Sequence, residues 1–172
     1  MTHEERLAYF LDEVARGTVK EFLEAPAVDL RRGVLAAIVV NQLVEFIHEG
    51  RPDLRSHPAE KLSDFRKRLS EKYPSLSLLR DVAEATKHPR LNRRPISITG
   101  IEAIRSPDTR ILTRSGDPIL LRDGSPLHAR PIVVVDTLDG PKHLREIVVT
   151  CFAELEKMIA GSDETVTASP SS

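Results

Sequence analysis

Arg80, Glu84 and His88 stand at i, i+4 and i+8 in the stretch RDVAEATKHPRLNRR (80 to 94), with Lys87 beside the histidine. On a helix that spacing stacks the three side chains along one face, about a turn apart. Such a row could grip a phosphodiester through Arg80 and Lys87 and present His88, which titrates near neutrality, as a general acid or base. Arg90, Arg93 and Arg94 follow at once and extend the positive surface. The plain alternative is a solvated helix face. Arg80 and Glu84 then form an exposed pair worth a few tenths of a kcal/mol, while Lys87 and His88 are cations that suit the negative end of a helix dipole.

A second polar row, Asn41, Glu45 and His48, lies on the most apolar segment of the chain. A carboxylate on a mostly buried helix needs a partner, because leaving it unpaired is costly. Contact of Glu45 with Lys87 or His88 would orient and charge the histidine; the same contact would serve equally as a structural tie between two helices.

Composition removes several function classes. Aromatic residues are only 4% of the chain and Trp is absent, so a stacking platform for single-stranded nucleic acid is disfavoured. Cys151 is the only cysteine, which excludes an intrachain disulfide and a cysteine zinc cluster, and its place on the apolar side of a helix marks a core thiol. The histidines show no paired metal spacing, and His3-Glu4 is followed by Leu7 where a zinc-protease motif needs a second histidine. No glycine-rich phosphate loop, dinucleotide fingerprint or GxSxG is present, so neither metal nor cofactor is expected. The N-terminus lacks signal-peptide character, and VLAAIVV is too short to span a bilayer, which points to a cytoplasmic protein with no membrane partner. Charge is uneven along the chain. Residues 51 to 94 hold 12 Lys and Arg against 6 Asp and Glu, a net +6, whereas the whole chain is at −1.

The elements that must position these residues follow from apolar periodicity. Residues 3 to 24 predict an amphipathic helix with Leu7, Phe10, Leu11, Val14, Val19, Phe22 and Leu23 inward. Asp29 is a good N-cap for a second helix reaching about Glu49, apolar over more than half its circumference and so expected at the centre. A third helix is predicted from about 58 to 72, with Pro58 in its first turn, and a fourth from about 75 to 88, capped by Ser75. The fourth places Arg80, Asp81, Glu84, Lys87 and His88 on its polar side. From Pro95 the period changes to two, and PISITGIEAI, TRILTR, DPILLR and ARPIVVVDTL predict an antiparallel β-meander over 95 to 138, broken by SG, DG and LDGP turns. A closing helix over 143 to 160 buries Leu144, Ile147, Val148, Cys151, Phe152, Leu155 and Ile159 and stops at Gly161. No internal repeat is apparent. The fold class is α+β: a four-helix bundle (1 to 90), a small meander and a returning C-terminal helix in one domain of 1 to 160, with a disordered tail over 161 to 172.

With the LAAIVVNQLVEFI helix, then RDVAEATKH, then a β-rich segment, the chain over residues 30 to 90 resembles uncharacterised bacterial proteins with a HEPN-like helical bundle. The resemblance implies a bundle that is often dimeric, and a ribonuclease chemistry using an arginine and a histidine of one helix, in an R-x(4-6)-H motif paired across a dimer. Only Arg80 and His88 match, with seven residues between them and Asp81 following the arginine.

Two readings stay open. One is a HEPN-like protein that binds RNA or a nucleotide through the 80 to 94 face and has the groups for metal-independent RNA cleavage. The other is a noncatalytic helical module that forms a homodimer or recruits a protein partner through its apolar helix or its sheet edge.

Overall fold

The computed structural model describes residues 1–25, 29–88, 97–108, 110–127 and 132–161. Thr2 opens the first helix with a capping box: its hydroxyl accepts from Glu5 N (3.1 Å) and its own N–H donates to Glu5 Oε2 (2.7 Å). The helical backbone then runs unbroken from 3 to 24 as α1 (His3–Tyr9), a π-helical segment (Phe10–Ala15) and α2 (Arg16–Glu24). The π-helical segment has a cause in the apolar pattern. Buried Leu7, Phe10 and Leu11 are followed by Ala15, Val19 and Phe22, which fall about one residue late for a regular helix, and one wide turn absorbs the excess. Ala15 therefore takes the inward place expected of Val14.

α3 (Leu30–Gly50) is the central helix, as its wide apolar surface predicts. Asp29 caps it by accepting from Arg31 N (2.8 Å). It packs against α1, α2, α4 (Leu62–Lys72), α5 (Pro74–Ala85) and α6 (Leu144–Ala160). Two of its glycines permit this crowding. A Cβ at Gly50 would lie 2.8 Å from Leu7 Cβ and 3.0 Å from the His3 carbonyl, and one at Gly33 would lie 2.9 Å from Leu144 Cδ2.

α4 begins at Leu62, not near Pro58, because the chain before it is used differently. His57 and Glu60 close a backbone turn (Glu60 N to His57 O, 3.0 Å), and the Glu60 carboxylate turns inward to accept from Ser56 N (2.9 Å). Ser75, expected to cap α5, lies inside it: the helix begins at Pro74, which occupies the first turn, where its missing N–H is no loss. The other end of α5 comes early: the helix stops at Ala85, and the backbone N–H groups of Lys87 and His88 both donate to the Glu84 carbonyl (3.0 and 3.1 Å).

The sheet is antiparallel with three strands in the order β1 (Ile104–Arg105), β2 (Val134–Thr137), β3 (Gly140–His143). Ile104 pairs with Val135, and Val134 with His143. GPKH, expected only as the exit of a turn, is the third strand and leads straight into α6. Pro141 is tolerated there because β3 is an edge strand. Val133, Val135, Ile98, Ala103 and Ile104 join the helices in one hydrophobic cluster. α6 buries Leu144, Ile147, Val148, Cys151, Phe152 and Leu155, as its spacing predicts, with Met158 in place of Ile159. It ends at Gly161, whose φ of 74° is left-handed. The tail expected to be disordered lies beyond it, outside the described residues from 162 on.

TRILTR and DPILLR do not extend this sheet. They carry a repeat of eight residues, ILTRSGDP (111 to 118) and ILLRDGSP (119 to 126), with Leu127 opening a third register. The geometry repeats with the sequence. Thr113 N donates to Asp117 O and Leu121 N to Ser125 O (both 2.7 Å), and bridges join Leu112 to Pro118 and Leu120 to Pro126. Gly116 and Gly124 hold φ values of 91° and 82° at matching turn positions, which suit glycine. Three bonds close the figure into a ring: Ile119 N to Ile111 O (2.8 Å), Leu127 N to Ile119 O (2.7 Å) and Ile111 N to Leu127 O (2.8 Å).

Candidate functional site

α5 is anchored by Leu76, Leu78, Leu79, Val82, Ala83 and Ala85, all buried. That fixes where its polar residues go. Asp81 is not on the exposed side with the others but wholly buried, accepting from Ser97 N at 2.6 Å. It ties the segment after α5 back onto the helix and presents no carboxylate to a ligand beside Arg80.

The row of Arg80, Glu84 and His88 divides in two. Glu84, half-buried, draws the end of the chain to itself, with Oε1 at 3.8 Å from Lys87 Nζ and Oε2 at 3.5 Å from His88 Nε2. Lys87 and His88 are themselves more than half exposed, beyond the last helical turn. Arg80 turns the other way. It lines a narrow cleft of about 10 Å³, room for a single water-sized group, between α3, α4 and α5, together with Asn41, Val44, Arg66, Leu69, Ser70 and Leu76. Neither Lys87 nor His88 lines that cleft. Arg90, Arg93 and Arg94 lie outside the described residues.

The stripe on α3 is met by α4 and the loop before it. Glu45 accepts from Arg66 Nη2 at 2.6 Å, so its cation comes from α4 and not from Lys87 or His88. His48 Nε2 donates to the Glu60 carbonyl (2.8 Å), and its ring meets Phe65 edge to face. Asn41 is 7% exposed, and its side chain makes no hydrogen bond with any described residue. Arg66 Nε is likewise buried without an acceptor among the described residues. The Asn41 amide thus lies at the cleft that Arg66 and Arg80 also line, and amide and guanidinium donors recognise an oxyanion.

Next to the stripe lies a charge pair that sequence reasoning missed. Arg68 holds the Glu60 carboxylate with Nε to Oε1 (3.1 Å) and Nη2 to Oε2 (2.9 Å), and donates also to the Leu54 carbonyl (2.8 Å). The hydrogen bonds from Arg68 outweigh burial and hold the Glu60 carboxyl down to about 2. Within FRKRL the cations look like one solvated run. Their separation follows only from the position of Phe65 at 0% exposure, which sends Arg66 to α3 on one flank and Arg68 to the 54–60 loop on the other.

Cys151 is the core thiol its helical position implies. At 1% exposure, burial pushes it up to about 12, which removes the thiolate that nucleophilic chemistry would need. Among the described residues no group of three or more His, Cys, Asp or Glu side chains is arranged to hold a metal ion, and no helix is long and apolar enough to cross a membrane. Comparison of the chain with family models, with characterised proteins and with solved structures finds no match.

Proposed function

We propose that this is a HEPN-like module that binds RNA or a nucleotide by its phosphates, with the cleft between α3, α4 and α5 as the anchoring point. The observation that carries the reading is the meeting of Arg66, Arg80 and the unbonded Asn41 amide at one cleft. The opening is too narrow to enclose a nucleotide. A phosphate oxygen enters, while the rest of the ligand lies across the mouth and along α5 toward Lys87. Binding without strand cleavage fits best, because His88 stands at the helix end beside Glu84 and not at the cleft where a phosphate would be polarised.

Fluorescence anisotropy of a labelled single-stranded RNA, titrated at several salt concentrations, tests the reading. Arg80→Gln is expected to weaken binding by about tenfold or more and to lower the salt slope by about one. Lack of RNA and nucleotide binding by the wild type, or unchanged binding by Arg80→Gln, overturns it. Cutting of the RNA in EDTA by the wild type but not by His88→Ala would replace binding with catalysis.

A second reading, the noncatalytic interaction module, is favoured by a separate observation. Ile111, Leu112, Ile119, Leu120 and Leu121 are all exposed large hydrophobic residues within one short segment.

A further inference from the structure

The eight-residue repeat bonds its backbone to itself at matching positions and strands its side chains. Every residue from 110 to 125 is exposed, including Leu112 at 52%, Leu120 at 56% and Leu121 at 48%. Short hairpins without a packed face are marginal in water, so an ordered ring of this kind calls for something to cover it. The apolar residues sit at corresponding places: Ile111, Ile119 and Leu127 at the ring bonds, Leu112 and Leu120 at the bridges.

Charge indicates what that cover is. Arg114 and Arg122 occupy the same position of the repeat, and neither makes a hydrogen bond or ion pair with a described residue. Beside them Asp117 accepts only from the Ser115 hydroxyl, and Asp123 only from the Ser125 hydroxyl and N–H. Across 108 to 127 there are three arginines (110, 114, 122) and three aspartates (108, 117, 123), so the face is neutral overall. It offers no field to a nucleic acid, and a partner of one dominant charge would meet as much repulsion as attraction. A face bearing spare arginines and lightly held aspartates next to leucines complements a rotated copy of itself. Residue i then meets j while j meets i.

We infer that the 110–127 segment is a dimer interface, on which a second copy of this chain is laid face to face, leucine against leucine and arginine against aspartate. The residues are separate from the phosphate cleft, and the inference stands or falls independently of it.

Sedimentation equilibrium of the full chain up to about 100 µM, well above a micromolar dissociation constant, is the test. The wild type is expected to be a dimer. Leu112→Asp with Leu120→Asp should raise the dimer–monomer midpoint by about 100-fold or more, since a carboxylate buried without a partner is costly at each of the symmetric positions. Helical circular dichroism is expected to stay the same. Charge reversal gives a second measurement that leaves the leucines in place. Arg114→Asp with Arg122→Asp, and separately Asp117→Arg with Asp123→Arg, should each abolish the dimer, and mixing the two proteins should restore a heterodimer. A wild type that stays monomeric overturns the inference, because the cover is then not a second copy. So does a dimer that neither set of substitutions weakens, since its interface then lies elsewhere.

Discussion

Glu60 and Leu120 each occupy the side of the molecule that its chemistry would ordinarily avoid. Glu60 is a carboxylate at 5% exposure, and Leu120 is an aliphatic side chain at 56%. In the helical body the cost of burying charge is offset by a prepared set of donors: both carboxylate oxygens of Glu60 face Arg68, and one also takes the Ser56 N–H. The repeat segment shows the reverse. The backbone N–H groups of Ile111, Thr113, Ile119, Leu121 and Leu127 find carbonyl acceptors within the ring, yet no second layer packs over its leucines. Hydrogen bonding and apolar burial, which cooperate in the body, are separated here, and a segment with the first but not the second is built for contact.

The widest separation between the two regions should appear on truncating one leucine in each. Leu79 is at 0% exposure where α5 packs into the core. Leu79→Ala is expected to cost about 2–5 kcal/mol in urea unfolding, the range for a buried leucine that leaves a cavity. A loss near that of an exposed site would mean that α5 is not packed as described, and the contrast would collapse.

Backbone packing in the body gives the next effect. Alanine is the better helix former, so Gly50→Ala and Gly33→Ala would each gain up to about 1 kcal/mol from propensity alone. At Gly50 the new methyl meets Leu7 Cβ and a backbone carbonyl, neither of which is free to move. A net loss of about 1–3 kcal/mol is expected there. At Gly33 the nearest atoms are the ends of Leu144 and Phe22, which can shift, so the loss should be smaller. Thermal unfolding of the two variants side by side checks the order, and a reversal would show that the α1–α3 approach is looser than the α3–α6 approach.

Glu60 sharpens the comparison through pH. Its folded carboxyl is held down to about 2 against an ordinary 4.5. A carboxyl with a depressed folded pKa contributes stability fully above the ordinary value, and that contribution is lost as pH falls toward the folded one. The stability gap between wild type and Glu60→Gln should therefore be widest above about pH 5 and narrow steadily down to about pH 2. Urea midpoints across that window are the measurement. A gap that does not change with pH would mean that the pair contributes shape and not charge.

Much of the body was legible because its determinants are local. Asp29 announces the start of α3, Gly161 the end of α6, and the apolar width of α3 its central place. The site was less legible because its determinants are not local. Spacing along the chain placed Arg80, Glu84 and His88 on one face, but that rule holds only while the helix lasts, and it stops at Ala85. Asp81 read as a surface residue because its acceptor role depends on Ser97, sixteen positions on. GPKH has the composition of a turn and becomes a strand only because Val134–Thr137 lies alongside to pair with it. The octad escaped because strand alternation within each unit masks the period between units.

The smallest effect on stability is expected at the repeat. Leu120→Ala should change the unfolding free energy of the dilute protein by no more than about 0.5 kcal/mol, as for an exposed site that packs against nothing. Thiol labelling makes the same comparison directly. The wild type carries only Cys151, which burial keeps protonated, so a maleimide should leave the native chain unmodified and label it once after denaturation. In Leu120→Cys the introduced thiol should react at once in dilute native protein while Cys151 stays protected. Raising the protein concentration should then slow labelling at 120 alone, as a second copy covers the face. Native labelling of Cys151 at a rate like that of the introduced thiol would remove the distinction between a dry body and a wet projection. Rapid labelling at 120 at every concentration would leave that distinction intact and take away the dimer.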